Sequence, residues 1–196
     1  MELSVIIPCL NEEGTVGTCI EKALRALEEG DLTGEVVVVD NGSTDRSIEI
    51  SKAAGARVVH AGVKGYGSAI RTGIEQARGE VVIMGDADDT YDFGEIGNLM
   101  HELRKGSGAD LVMGNRYGGR IHRKAMPIMN RLVGTPVLTL VMRLFFKSRV
   151  SDINCGLRAF RRDSIQGLNL RCNGMELASE MLIKATQEKL EIRDRK

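Results

Sequence analysis

Four aspartates fall within seven positions in the run GDADDTYD, a spacing that suggests metal chemistry. They are Asp86, Asp88, Asp89 and Asp92. Carboxylates packed this closely repel one another, and their pKa values rise unless a cation compensates. A hard divalent ion such as Mg²⁺ or Mn²⁺, itself bound to a diphosphate, would resolve that conflict. The alternative is a solvated turn whose aspartates cap the next helix; an EF-hand is disfavoured because its later glycine and glutamate are missing.

Two further polar loops follow apolar runs. Asp40 comes after four valines and opens the segment 41–45, and the segment 8–12 (PCLNE) follows the first apolar run. An aspartate at a strand end can accept hydrogen bonds from a nucleobase or a ribose. The alternative for Asp40 is an Asx turn that leads into a helix.

The apolar pattern along the chain predicts the elements that would position these loops. Strands are predicted at 3–8, 35–40, 57–60, 80–86 and 110–114, and helices at 16–27, 45–54, 69–77, 93–103 and about 175–189. Such alternation, with continuous apolar strands, indicates an α/β fold: a mostly parallel sheet with helices on both faces. Ligands of these sheets bind beyond the carboxyl ends of the strands. We therefore expect the three polar loops to converge on one edge.

A glycine-rich segment, KGYGSA at 64–69, offers a third kind of ligand contact. Its glycines, Gly67 among them, would let the backbone approach a phosphate-bearing ligand. A dinucleotide-binding fingerprint is disfavoured because the glycine spacing fails and the segment does not follow the first strand.

Composition narrows the class of protein. The 196 residues, 42% of them hydrophobic, fit one domain with a sizeable core. Lys plus Arg and Asp plus Glu both total 27, so the zero net charge gives no sign of a nucleic-acid binder. Four cysteines without a C-x-x-C pair disfavour a zinc site or a disulfide framework and suggest a reducing compartment. No secretory signal is visible before the first strand.

The second half is less regular. A basic loop at 120–124 precedes an apolar segment at 126–146, which Pro136 and the charges of Arg131 and Arg143 interrupt. We interpret that segment as buried or interfacial rather than membrane-spanning. Residues 151–158 are predicted to form a turn, and 190–196 to begin a strand or fray.

The ordered set of motifs resembles a known family. VIIPCLNEE, VVVVDNGSTD, KGYGSAIRTG, VIMGDADDTYD, MGNRYGG and DINCGLRAF, in this order, resemble family 2 glycosyltransferases over nearly the whole chain. The branch with dolichyl-phosphate mannosyltransferase and bacterial polyprenyl-phosphate sugar transferases is the most similar. The resemblance implies a GT-A fold with a Rossmann-like sheet, a nucleoside-diphosphate sugar donor, and Mg²⁺ or Mn²⁺.

The resemblance also assigns roles to residues of the first half. Donor-binding positions are Pro8, Asn11, Glu12, Asp40, Gly67, Asp86 and Ala87. The family's metal-binding aspartate matches Asp88, with Asp86 and Thr90 as further metal-site positions. Asp89-Thr90-Tyr91 departs from the mannosyltransferases, which weakens assignment to that activity.

Further assignments fall in the second half. Arg116 matches an arginine of the donor or acceptor-phosphate region, and Asp152, Gly156 and Arg158 match a D-x-x-x-G-x-R motif. Asp88, Arg116 and Asp152 are the predicted catalytic residues, and Arg116 and Arg158 are predicted to bind substrate. A late acidic residue of the family corresponds to Glu176 or Glu180.

The implied activity is inverting transfer of a sugar, with GDP-mannose or UDP-glucose as donor and a polyprenyl phosphate as acceptor. Alternatives are transfer to a hydroxyl and a nucleotide-sugar-binding module without transfer. A nucleotidyltransferase is disfavoured because a glycine-rich loop does not follow the first strand. We expect 1–196 to be a single catalytic domain that lacks a C-terminal membrane-associated region. It would be cytoplasmic, in peripheral contact with the cytoplasmic face of the membrane, and a homo-oligomer is left open.

Overall fold

The strands form one mixed sheet. The structure is a computed structural model that describes residues 1–114 and 155–194. The strands in this part are β1 (Leu3–Cys9), β2 (Gly34–Asp40), β3 (Arg57–His60), β4 (Val81–Met84), β5 (Leu111–Met113), β6 (Arg158–Arg161) and β7 (Ile192–Asp194). Their order across the sheet is β3-β2-β1-β4-β6-β5-β7.

One half of the sheet is parallel throughout. β1 pairs in parallel with β2 and with β4, and β2 pairs in parallel with β3. β6 runs antiparallel to both β4 and β5, and β7 is parallel to β5. The carboxyl ends of β2, β1 and β4 therefore meet at one edge of the sheet, as the sequence predicted.

Helices cover both faces of the sheet. They are α1 (Val16–Glu29), α2 (Ser47–Ala53), α3 (Tyr66–Gln76), α4 (Ile96–Arg104), α5 (Arg162–Gln166) and α6 (Leu177–Gln187), with a 3-10 turn at Phe93–Glu95 before α4. Alternate strand residues divide the core. Val5 and Val38 pack in the cluster that contains Val16 of α1, whereas Ile6 and Val39 pack in the cluster that contains Ile70 of α3. This two-sided burial accounts for the continuous apolar strands.

The strand β6 is the main difference from the sequence-based expectation. Residues 151–158 were predicted to be a turn, whereas Arg158 begins a strand whose sequence is RAFR. Two arginines in four residues hide the apolar pattern of a buried strand. The Arg158 side chain is fully buried, whereas an arginine is normally taken as solvated. The short helix α5 follows at once and was also not predicted.

None of the helices in 1–114 and 155–194 is long and apolar enough to cross a bilayer. The basic loop 120–124, the apolar segment 126–146 and residues 151–154 of the predicted 151–158 turn lie outside the described residues.

Candidate active site

Hydrogen bonds of Asn11 and Glu12 tie the loop after β1 to the segment after β2. Asn11, in the left-handed region at φ 58°, donates its backbone N–H to Ser43 Oγ at 3.0 Å. Its side-chain oxygen accepts the Thr44 backbone N–H at 2.8 Å, and the Glu12 backbone N–H reaches Ser47 Oγ at 2.8 Å. Asn11 and Glu12 therefore shape the edge of the sheet, and their contact with a donor stays a prediction. Pro8 lies in β1 opposite Val39, and its donor contact also stays a prediction.

Asp40 ends β2 as a buried, hydrogen-bonded carboxylate. Its Oδ1 accepts the Ser43 backbone N–H at 3.0 Å, and its Oδ2 accepts that of Gly42 at 3.1 Å. His60 Nδ1 lies 3.1 Å from the same Oδ2. Burial alone would raise the pKa of Asp40, but the hydrogen bonds with Ser43, His60 and Gly42 lower it below its ordinary value. The end of β2 thus holds a fixed carboxylate, and its contact with a nucleoside stays a prediction.

Asp86 follows β4 and is held from two sides. The Tyr66 hydroxyl, at the start of α3, donates to Asp86 Oδ1 at 2.9 Å. Burial and then the Asp86 charge raise the pKa of the Tyr66 phenol, so the hydroxyl keeps its proton. On the other side a Cβ on Gly156 would lie 2.7 Å from Asp86 Oδ2. The glycine of the D-x-x-x-G-x-R motif is therefore required by close packing against this carboxylate.

Replacing Tyr66 with Phe tests that support. A hydrogen bond to a charged group contributes about 1.5–3 kcal/mol, and its loss leaves a half-buried carboxylate with one donor fewer. We expect the free energy of unfolding to fall by about 1.5 kcal/mol and the KM for donor to rise. Urea unfolding and steady-state kinetics measure both, and unchanged values in both would show that Tyr66 does not support Asp86.

Asp88 differs from Asp40 and Asp86 because it is exposed. Its Oδ1 accepts the Thr90 backbone N–H at 2.9 Å, which closes an Asx turn around Asp89, while Ala87 is buried beneath the loop. Asp92 instead accepts the Gly94 backbone N–H at 2.9 Å and caps the 3-10 turn. The run therefore contains both the capped turn that was the alternative and a carboxylate presented to solvent.

The donor set of this loop fits Mg²⁺ or Mn²⁺. Most ligands in the coordination shell of such an ion are water and substrate phosphate oxygens, so the protein supplies one or two carboxylates. Exposed Asp88 supplies one, at the loop that follows the central strands. Across the described ranges no group of three or more His, Cys, Asp or Glu side chains comes together, so a fully protein-built cage is not formed there. The metal roles of Asp86 and Thr90 stay predictions.

Gly67 has a packing reason to be glycine. A Cβ there would lie 2.6 Å from the Cys172 carbonyl oxygen and 2.7 Å from that of Gly174. The Ser68 backbone N–H donates to the Asn173 carbonyl at 3.2 Å. The start of α3 thus packs backbone to backbone against the loop 172–174, and the predicted contact of Gly67 with donor phosphate stays a prediction.

Arg158 is fully buried. Its Nε donates to the Cys155 carbonyl at 2.9 Å, and its Nη1 donates to the Ala178 carbonyl of α6 at 2.7 Å. These bonds join β6 to α6 and give Arg158 a structural role, while its assignment as a substrate-binding residue stays a prediction.

Of the late acidic residues, Glu180 is the one that shapes the site. Its carboxylate accepts the Cys172 backbone N–H at 2.8 Å and pairs with Lys184 at 2.8 Å. Glu176 is exposed, and its carboxylate accepts a local bond from the Gly174 N–H at 3.0 Å. Glu180 therefore fixes the loop on which the start of α3 packs. The predicted residues Arg116 and Asp152 lie outside the described residues.

Sequence reasoning missed Tyr66 and Lys22, which pairs with Asp89. Tyr66 lies in a segment that was interpreted through the backbone freedom of its glycines, and Lys22 has the pattern of an ordinary solvent-exposed helix residue. Neither had a local signal, because each acts on a loop some 20 to 67 positions away.

The chain is similar in sequence to two sugar transferases. The low-salt glycan biosynthesis hexosyltransferase of Haloferax volcanii is 44% identical over 193 residues, which cover 98% of the chain and 46% of that protein. The dolichol-phosphate mannosyltransferase of Pyrococcus furiosus is 29% identical over 198 residues, covering 97% and 54%. The chain thus spans about half the length of these two relatives.

A solved structure gives the same architecture. Glucosyl-3-phosphoglycerate synthase from Mycobacterium tuberculosis, in complex with Mn²⁺, UDP-glucose and phosphoglyceric acid, matches with a TM-score of 0.78 and 26% identity, covering 98% of this chain and 68% of that one. The predicted GT-A fold is confirmed. The family model for glycosyl transferase family 2 matches residues 4–168, and the chain belongs to that family.

Proposed function

We propose that the chain is an inverting glycosyltransferase that moves a hexose from a nucleoside-diphosphate sugar to a polyprenyl phosphate. The observation that carries the proposal is the edge formed by β2, β1 and β4, where Asp40 and Asp86 are anchored by hydrogen bonds and Asp88 is exposed. Binding of a nucleotide-sugar donor needs two kinds of carboxylate: fixed hydrogen-bond acceptors for the nucleoside, and an exposed carboxylate for the metal ion on the diphosphate.

The donor would lie along that edge. Asp40, held ionised by its backbone donors, would accept hydrogen bonds from the nucleoside, and Asp86 would lie on the nucleotide side of the loop. GDP-mannose and UDP-glucose are the two donors we propose. The first agrees with the similarity to a mannosyltransferase and the second with the UDP-glucose held by the solved relative.

The leaving group requires charge neutralisation. A bound Mg²⁺ or Mn²⁺ would stabilise the negative charge that develops on the departing diphosphate. Asp88 would hold that ion, and its Asx turn with Thr90 fixes the direction from which the carboxylate approaches.

A lipid-phosphate acceptor needs little further chemistry. Its oxygen is ionised near neutral pH, so it attacks the anomeric carbon without a general base as the bond to the diphosphate breaks on the opposite face. Arg116 would bind the acceptor phosphate. The dolichyl-phosphate hexose transferase of Haloferax volcanii, 31% identical over 76% of its length, supports this class of acceptor. Such an acceptor would bring the chain into peripheral contact with the cytoplasmic face of a membrane.

A panel of donors tests the proposal. Release of nucleoside diphosphate is followed with GDP-mannose and UDP-glucose, with and without polyprenyl phosphate and Mn²⁺. We expect one donor to turn over with metal and lipid phosphate together. Donor binding by calorimetry without release under any condition would favour a binding module that lacks transfer activity.

Transfer to a hydroxyl is the second candidate, because the solved relative is in complex with both UDP-glucose and phosphoglyceric acid. In that case a base is needed, and Asp152 is the proposed one. A rate with 3-phosphoglycerate that exceeds the rate with polyprenyl phosphate, and that falls in Asp152→Asn, would favour it.

Replacing Arg116 with Ala should impair transfer more than donor binding. If Arg116 binds the acceptor phosphate, its replacement removes a contact with the acceptor and leaves the contacts with the nucleoside and the diphosphate of the donor unchanged. We expect the KM for polyprenyl phosphate to rise by about tenfold or more, while the donor Kd stays within about twofold. Calorimetry and kinetics with the same preparation measure both. Equal loss of both would assign Arg116 to the donor alone.

A further inference from the structure

An ion pair joins helix α1 to the loop of the proposed metal site. Lys22 Nζ lies 2.7 Å from Asp89 Oδ1, and both side chains are about one-third exposed, at 38% and 33%. Asp89 directly follows the exposed Asp88. A contact this short between elements 67 positions apart fixes the loop relative to the helix.

The loop needs support at this point. Asp89 has φ 58°, in the left-handed region that costs most residues about 1 kcal/mol and that Asp and Asn tolerate best. The Asx turn from Asp88 Oδ1 to the Thr90 N–H spans the same residue. The backbone conformation of Asp89 therefore sets the direction in which the Asp88 side chain projects from the loop.

Helix α1 holds the loop on both sides of Asp88. Cys19, one turn before Lys22 and fully buried, has its thiol 3.5 Å from the Ala87 carbonyl oxygen. Cys19 thus contacts the residue before Asp88, and Lys22 contacts the residue after it. The helix is a rigid base, since six of its residues are buried in the core beneath the sheet.

The Lys22–Asp89 ion pair also affects which carboxylate of the loop is available to a metal ion. An unpaired Asp89 carboxylate would compete with Asp88 for a divalent ion, because both are hard oxygen ligands on one loop. The hydrogen bond to Asp89 raises the pKa of Lys22, which keeps the ammonium charged in this position.

We propose that Lys22 is a positioning residue for metal binding: it holds Asp89 in the left-handed turn that presents Asp88, and it keeps the Asp89 carboxylate off the ion. The inference rests on the proposed function, since it supposes that Asp88 holds the metal. Lys22 acts through Asp89 and does not touch the donor.

Binding of Mn²⁺ in the presence of UDP or GDP tests the inference, with free Mn²⁺ measured by electron paramagnetic resonance. We expect Lys22→Met to weaken Mn²⁺ binding by about tenfold, the lower range found for residues that support metal ligands. The double variant Lys22→Met/Asp89→Asn should recover to within about threefold, because Asn tolerates the left-handed turn and does not compete as a carboxylate. Lys52→Met on α2 is the matched control and should leave the affinity unchanged.

The outcomes separate the inference from the function on which it rests. Equal Mn²⁺ affinity in Lys22→Met and the original chain overturns the inference alone. Equal losses in the single and double variants would mean that Lys22 does not act through the Asp89 carboxylate, which also overturns it. Failure of the original chain to bind Mn²⁺ with either nucleotide overturns the proposed metal site and the inference together. Thermal unfolding of each variant shows whether the fold is kept, and Asp89→Gly provides a second test of the turn because glycine adopts positive φ without strain.

Discussion

Replacing Asp88 with Ala should lower metal-dependent donor turnover by more than about 100-fold, since loss of a direct ligand costs more than loss of its supporting partners. The stability should change little, because the side chain is exposed and its hydrogen bond to the Thr90 N–H is local. Release of nucleoside diphosphate at saturating Mn²⁺ measures the effect. Circular dichroism and urea unfolding of the same sample check the fold.

A matched aspartate makes the result specific. Asp163 is exposed, and the adjoining Arg162 N–H bonds to the Glu80 carbonyl at the amino end of β4, opposite the site. Asp163→Ala should therefore keep full turnover. Unchanged turnover in Asp88→Ala would remove the metal assignment, and equal losses in both variants would point to a general effect of charge.

The parallel half of the fold was predictable because its strands are buried on both faces. The valines before Asp40 form a continuous apolar run, and the residues after such runs must lie at the carboxyl edge of the sheet. The positions of Asp40 and Asp86 follow from this rule without knowledge of any distant contact.

The one antiparallel strand of the described sheet, β6, was not predictable by the same rule. Arg158 and Arg161 flank two apolar residues. This pattern does not show that the Arg158 guanidinium is buried and donates hydrogen bonds to two backbone carbonyls. The buried arginine needs acceptors such as the Cys155 and Ala178 carbonyls, and these are supplied by tertiary structure.

The candidate site divides in a similar way. The carboxylates were found from sequence because their density and position are local properties. Tyr66, Lys22 and Glu180 were not assigned to them, because each reaches its loop from another element. The sequence also did not predict that Asp88 is exposed whereas Asp40 is buried, and this difference is the basis for the separate roles that we propose for the two carboxylates.

Those supporting contacts form a continuous chain of packing. Glu180 fixes the loop at Cys172, and that loop packs on Gly67. The residue before Gly67 is Tyr66, whose hydroxyl donates to Asp86. A change at Glu180 should therefore reach both the stability of the domain and the position of Asp86.

Replacing Glu180 with Gln is expected to have the largest effect on stability. Burial raises the pKa of Glu180, but Lys184 and the Cys172 and Arg171 N–H groups outweigh it and lower the pKa from 4.5 to about 2. At about 1.4 kcal/mol per unit, and reduced for partial exposure, this corresponds to about 2 kcal/mol of stability at neutral pH. Glu180→Gln should lose that amount in urea unfolding.

The pH dependence of that loss tests its cause. A carboxyl whose pKa is lower in the folded state stabilises the fold above its unfolded pKa, and the stabilisation disappears as the pH falls through the folded value. The difference between Glu180→Gln and the original chain should therefore be constant above about pH 5.5 and shrink from about pH 4.5 towards pH 2. Glu176→Gln, an exposed glutamate of the same region, is the control and should change stability by less than about 0.5 kcal/mol. A loss in Glu180→Gln that is independent of pH down to about 3 would assign the effect to side-chain packing instead of to the charge that holds the loop against α3.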